Sequence, residues 1–138
     1  MTRIDFYILQ QADPLPFLCR LVEKAYRLGH HCHIQCSDQP LAAALDAALW
    51  QFKPASFIPH QLQDAAESPH SPITIGSNAA LAHHDLLINL DSERNPHFHH
   101  YQRLAEIIPQ QANLIAAGRD RFRYYRDHQY PLESHQIS

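Results

Sequence analysis

Hydrophobic positions in this chain fall into short saturated runs separated by longer stretches with helical spacing. Ile4 to Leu9 (IDFYIL) is apolar and β-rich, which predicts a buried first strand. Asp13-Pro14 then supplies a cap and a first-turn proline. Leu15, Leu18, Val22, Ala25 and Tyr26 follow at helical spacing, and Leu28-Gly29 marks the stop. His31 to Cys36 (HCHIQC) predicts a second short strand. Ser37 or Asp38 can cap a helix from Pro40 to Trp50, with Leu41, Ala44, Leu45, Ala48 and Leu49 on one side.

Phe52 to Pro72 is the least regular stretch, broken by Pro54, Pro59, Pro69 and Pro72 around a small apolar knot at Phe57-Ile58. Ile73 to Ile75 predicts a third strand and Asp85 to Leu90 (DLLINL) a fourth. Asn95 and Pro96 can start a short helix through Tyr101. Leu104 to Ile108 (LAEII) fits a fifth strand or the end of that helix. Pro109 breaks the chain, a last helix runs from Gln111 to about Asp127, and a polar tail follows. Strands alternating with helices require crossover connections. The expected architecture is therefore one α/β domain over residues 1–138, with a single open, doubly wound, mostly parallel sheet.

Composition narrows the function. With 138 residues, 45% apolar and 18% charged, the chain has a globular composition and is long enough for an ordinary core. A net charge of −3 argues against a global electrostatic grip on DNA or an anionic membrane. No apolar run approaches the ~20 residues of a membrane span. The first residues lack the apolar stretch of a secretion signal, and Cys19, Cys32 and Cys36 do not form a disulfide framework. A cytoplasmic protein is expected. Gly29, Gly76 and Gly118 are the only glycines. Phosphate-cradling loops need closely spaced glycines so that the backbone can approach the anion, so nucleotide binding through those motifs is excluded.

Histidines and cysteines cluster at His30, His31, Cys32, His33 and Cys36. Zinc needs four ligands converging on one point. On a strand, His31 and His33 face one way while Cys32, Ile34 and Cys36 face the other, so the set is split and the cysteines read as small core residues. His97, His99 and His100 fit a solvated surface. His83-His84-Asp85 lacks a neighbouring nucleophile. Asp91 falls at the C-terminal end of a strand, where α/β proteins often place ligands.

The last helix differs from these. Arg119, Arg121, Arg123 and Arg126 lie within eight positions, interleaved with Phe122, Tyr124 and Tyr125 and tempered by Asp120 and Asp127. Helical spacing puts Ile115, Arg119, Phe122 and Arg126 on one stripe, and Ala117, Arg121 and Tyr125 on another. Two readings stand side by side: a solvated basic face, or a site for a carboxylate-bearing partner, held by the planar guanidinium fork with an aromatic floor beside it. Trp50 to Leu62 (WQFKPASFIPHQL) presents a similar choice between a loop that closes the core and a partner interface.

At these segments the sequence resembles the chi subunit of bacterial DNA polymerase III holoenzyme. The matching pieces are FYIL near the start, LDAALW (45–50) followed by SFIPH (56–60), DLLINL, and GRDRFRYYRDHQY (118–130), and their order covers nearly the whole chain. The resemblance implies an α/β fold like that of nucleotide-binding proteins but without a nucleotide site, with no cofactor, metal or catalysis of its own. It implies two partners. One is the psi subunit, which tethers chi to the clamp loader; the other is the acidic C-terminal tail of single-stranded-DNA-binding protein. Neither direct nucleic-acid contact nor a membrane is implied.

Position by position, the resemblance assigns tail binding to Arg119, Phe122, Arg123, Tyr125, Arg126 and Ile115, with Arg119 central and Trp50 near the tail pocket. Phe57, Ile58, Pro59, His60 and Leu62 match the segment facing psi. Some members of the family carry a lysine where this chain has Ile115; that contact is missing here or falls to Arg123 or Lys53. On the residues alone, two other classes are open. One is a small α/β enzyme or ligand-binding protein using Asp91, His83 and His84 at the sheet's C-terminal edge. The other is direct DNA binding through the arginine helix.

Overall fold

A computed structural model describes residues 1–51, 59–62, 72–79 and 85–137, leaving the side chain of Gln61 aside. Phe57, Ile58, Lys53, His83 and His84 lie outside the described residues. The element order is β1 (Arg3–Leu9), α1 (Leu15–Arg27), β2 (Cys32–Gln35), α2 (Gln39–Gln51), β3 (His60–Leu62), β4 (Ile73–Gly76), β5 (Leu86–Asn89), β6 (Arg103–Ile108), α3 (Ala112–Asp127) and β7 (Leu132–Ile137). The strands form one seven-stranded sheet in the order β3-β4-β2-β5-β6-β1-β7. Every pair in it is parallel. The open, doubly wound α/β architecture expected from the alternation of elements is what the chain adopts.

The local signals explain the elements. Asp13 Oδ1 accepts the Leu15 N–H at 3.0 Å as α1 begins, and Gly29 takes φ +80° just past its end. Asp38, rather than Ser37, caps α2, accepting the Leu41 N–H at 3.2 Å. The alternation of side chains along each strand then divides the core into two layers. Leu9, Cys32, Ile34, Ile73, Ile75, Ile88 and Ile107 pack with α1 and α2 on one face. Ile4, Phe6, Leu87, Leu104 and Ile108 pack with Tyr125 of α3 on the other.

Three segments depart from the sequence expectation. The expected short helix shrinks to a 3-10 turn at Phe98–His100, while residues 104–108 take the strand alternative, as part of β6. A short strand, β3, arises within the proline-broken stretch. The polar tail is instead an edge strand, paired with β1 from Ile4↔Leu132 to Leu9↔Ile137. Backbone pairing and a buried charge carry β7 where apolar alternation does not. Asp5, buried on β1, accepts from His135 Nε2 at 3.0 Å and from Arg103 Nη2 at 2.9 Å. Burial alone pushes the Asp5 carboxyl up, but these hydrogen bonds and the Arg103 and Arg3 charges outweigh it and hold it below its usual value.

His33 and the cysteines do point to opposite faces. His33 is fully buried between Thr74 Oγ1 at 2.9 Å and Gln35 Oε1 at 3.1 Å, while Cys32 and Cys36 lie in the α1–α2 layer. Among the described residues no helix is long and apolar enough to cross a membrane. Burial raises the Cys32 thiol to about 12, helped by Asp85, and the Cys36 thiol to about 11. A thiol reagent at pH 8 should therefore leave the folded chain unlabelled and modify Cys19, Cys32 and Cys36 only after denaturant is added. Labelling of any of them in the folded chain at the rate of a free thiol would contradict this core assignment.

Candidate functional site

The α3 helix is fixed to the sheet by a buried polar cluster. Glu106 of β6 has no exposed surface. Its Oε2 accepts from the Tyr125 hydroxyl at 2.6 Å and from Arg121 Nε at 3.1 Å, and its Oε1 accepts from Asn89 Nδ2 at 2.9 Å. Arg121 Nη1 also donates to the Ser92 carbonyl. Burial and the adjacent Glu106 charge push the Tyr125 hydroxyl far above its usual range, so it stays a donor. Around this cluster the rings of Phe98, Tyr125 and Tyr130 meet edge to face, and Phe122 meets Phe6 at 5.2 Å between centroids. Gly118 lets the helix settle close on β6: a Cβ there would lie 2.7 Å from Ile108 Cδ1.

With one side of α3 held down, the other side projects. Arg119, Arg123 and Arg126 are exposed, while Ile115 and Phe122 are half-buried at its edge. Arg123 pairs with Asp120 at 2.6 Å and Arg126 with Asp127 at 3.3 Å, all on exposed side chains. Such surface pairs contribute little and exchange readily with water. The Arg119 guanidinium makes no ion pair among the described residues. On the opposite flank, Arg94 sits 3.7 Å from the centre of the Tyr124 ring.

The structure therefore brings Arg119, Phe122, Ile115, Arg123 and Arg126 onto one surface, but not all the residues assigned with them. Tyr125 is fully buried beneath the helix, where its hydroxyl serves Glu106, so it supports the surface without lining it. Trp50 lies in the last turn of α2, which packs on the opposite face of the sheet from α3. It is 53% exposed and its ring lies 4.7 Å from that of His60. Trp50 therefore joins the second surface. There Pro59 and Leu62 are half-buried, and His60 is buried against Asp46, with its Nε2 3.2 Å from the backbone oxygen and 3.3 Å from Oδ1.

The sheet's C-terminal edge holds a cleft of about 700 Å³ lined by Asp38, Asp91 and Glu93. Asp91 is already engaged there. Its oxygens accept from Ser37 N–H and Ser37 Oγ, each at 2.8 Å, and from Gln35 Nε2 at 3.2 Å, which fastens the β2–α2 turn. The acid that the sequence places at a common ligand position thus also holds a turn. Among the described residues, Asp5, Glu133 and His135 bring three possible metal-ligating atoms within 4.8 Å of one another. Arg103 and His135 already occupy Asp5, and Arg3 lies 3.4 Å from Glu133, so the trio is a closed ion-pair cluster. Sequence patterns could not reveal Glu106, because its partners come from β5 and α3 and share no local spacing with it.

A parallel α/β sheet without phosphate-binding glycines, carrying a rigidly seated basic-aromatic helix, sets the class of this protein. The family profile described as DNA polymerase III chi subunit, HolC, matches residues 1–133. The chain is 40% identical to the DNA polymerase III subunit chi of Pseudomonas aeruginosa, covering 99% of this chain and 98% of that one. It is 31% identical to the subunit chi of Haemophilus influenzae, over 88% of each chain. Against that of Escherichia coli identity is 26%, over 91% of this chain and 92% of the relative. Among solved structures, the crystal structure of T4 UvsW superposes with a TM-score of 0.66 at 8% identity, over 99% of this chain and 41% of that chain, which shows a shared fold. The chain belongs to the DNA polymerase III chi subunit family, whose role is accessory to DNA replication.

Two arginines a half-turn apart should respond oppositely to truncation. Arg121→Ala leaves the Glu106 carboxylate buried without its cation, and urea denaturation should show a loss of about 3–5 kcal/mol. Arg119→Ala should leave the unfolding midpoint unchanged within error. Equal effects from the two would mean that α3 is not seated as described.

Proposed function

We propose that this chain is a non-catalytic accessory subunit of the bacterial replicase, working in the cytoplasm, that links the clamp-loader complex to coated single-stranded template. The psi subunit holds it through the surface at Trp50, Pro59, His60 and Leu62, together with Phe57 and Ile58. The α3 surface docks the acidic C-terminal tail of single-stranded-DNA-binding protein, and the chain itself does not grip nucleic acid. The observation that carries this reading is Arg119: a guanidinium without an ion pair among the described residues, beside the half-buried Phe122 and Ile115, on a helix that cannot roll away.

A tail that ends in acidic residues, proline and phenylalanine needs a cation and an apolar contact side by side. A charge-assisted hydrogen bond to its terminal carboxylate contributes about 1.5–3 kcal/mol. Burying a Phe side chain contributes about 1.5–3 kcal/mol more. Ordering the peptide offsets part of the sum, so the expected affinity is micromolar and falls with salt. The same arginines do not favour DNA as a general partner, because acids are interleaved with them along α3 and the chain is net acidic.

By calorimetry, Arg119→Ala should weaken binding of such a peptide at least tenfold, and amidating the peptide's terminal carboxylate should do the same. Unchanged affinity with the fold intact would overturn the tail assignment. At the second surface, Trp50→Ala should reduce co-purification with psi and leave peptide binding as it was. Loss of tail binding in that variant would instead place Trp50 in the tail site.

A further inference from the structure

We propose that the outer edge of β7 is a contact for a second copy of this chain, the two β7 strands pairing antiparallel about a two-fold axis at Ser134. This contact is separate from the α3 surface and from the surface at Trp50.

The edge follows from the hydrogen bonding. Ile4 N–H donates to the Pro131 carbonyl at 2.8 Å, and Gln10 N–H donates to the Ile137 carbonyl at 3.2 Å. Along a strand, the N–H and C=O of one residue point to the same side and those of the next point away. Residues 131, 133, 135 and 137 therefore face β1, and Leu132, Ser134 and Gln136 turn their N–H and C=O outward. β7 ends the sheet, and among the described residues it pairs with β1 alone. Such an edge is a template for another strand.

Charge identifies the strand that fits. Glu133 is exposed, and His135, the next residue on the same face, hydrogen-bonds Asp5 through Nε2 at 3.0 Å. With Ser134 opposite its own copy, Leu132 and Gln136 exchange backbone bonds across the axis. Glu133 of each chain then stands directly opposite His135 of the other, at the non-hydrogen-bonded positions where side chains come closest. Moving the axis to residue 133 or 135 uses the same outward backbone groups but sets Glu133 against Glu133 or His135 against His135. Of these three registers only the one centred on Ser134 joins opposite charges.

The helices leave room for it. Phe122 meets Phe6 and Phe17 meets Tyr7, each at 5.2 Å between centroids, which sets α3 and α1 over β1 rather than over the edge strand. The two β1 strands of such a pair lie three strand spacings apart, about 14 Å. That exceeds the diameter of a helix, about 10–12 Å.

The contact also carries a proton. The Asp5 carboxylate takes the N–H of His135 Nε2, so Nδ1 donates to the opposing Glu133 only in the imidazolium form. The ring stacks on Tyr7 of β1 at 5.0 Å and has Glu133 of its own strand 3.9 Å away. Arg103 of β6 and Arg3 of β1 pair with the two acids, and Arg20 and Lys24 lie along α1 on the same face. Association therefore tightens as the pH falls from 8 to 6.

Cross-linking tests the register. Cys19, Cys32 and Cys36 are buried, so a thiol introduced on β7 is the accessible one. Oxidation of the Ser134→Cys chain should give a disulfide-linked dimer on a non-reducing gel. Gln136→Cys should stay monomeric, because its two thiols would sit about 14 Å apart along the strands, beyond the reach of a disulfide. Equal linking of the two variants, or of neither, would overturn the pairing. Sedimentation equilibrium of the unaltered chain should show a dimer that tightens at least about threefold from pH 8 to pH 6, and Glu133→Gln should remove that gain. A chain that stays monomeric at every concentration, or a dimer indifferent to both pH and Glu133→Gln, would contradict the proposal.

Discussion

The fully buried carboxylate of Glu106 decides how this molecule presents itself. An ionised group with no access to water is tolerated only when its lone pairs are filled by well-placed donors. Here a guanidinium, a phenol and an amide fill them, and two of those donors, Arg121 and Tyr125, belong to α3. Rotating the helix by even one position would bury a different side chain against Glu106 and leave the charge unmet. The cluster therefore acts as a rotational lock. Because Arg121 and Tyr125 must point down, Arg119, Arg123 and Arg126 must point out, with Phe122 and Ile115 at the boundary.

The same economy of polar groups is seen at the edge where parallel α/β proteins usually hold ligands. At the C-terminal edge of the sheet, Asp91 fastens the β2–α2 turn and Asn89 ties β5 to Glu106 and to the Glu93 carbonyl. Two of the acids that line the cleft, Asp38 and Asp91, hold the β2–α2 turn and the start of α2. The fold shared with T4 UvsW carries no functional conclusion at 8% identity, whereas membership of the chi family rests on relatives matched along nearly their whole length.

Much of this was legible before the structure, and the exceptions have physical causes. The saturated runs became β1 and β5, and the helical spacings became α1, α2 and α3, because burial against a neighbour imposes those periods. The β7 strand escaped detection because it sits at an edge: LESHQI shows no apolar alternation, and its pairing is secured by backbone bonds and the Asp5–His135 contact. Within α3, helical period alone puts Tyr125 on the stripe of Arg121 rather than that of Arg119. Grouping Tyr125 with the exposed arginines came from matching the motif residue by residue, which ignores the face on which each residue lies. The resemblance sets Trp50 near the tail pocket, whereas α2 carries it on the opposite face of the sheet from α3, and proximity across a sheet cannot be read from a motif. Glu106 had no signal at all in an apolar run where it looks like the lone exposed residue of a strand.

The most direct measurement is an amide chemical-shift map of the isotope-labelled chain titrated with the acidic C-terminal peptide. The seating of α3 predicts saturable shifts concentrated at Arg119, Phe122, Arg123 and Arg126, with little change at Trp50 or around Asp91. Shifts centred instead on the Asp38–Asp91 cleft, or on the far end of α2, would contradict it.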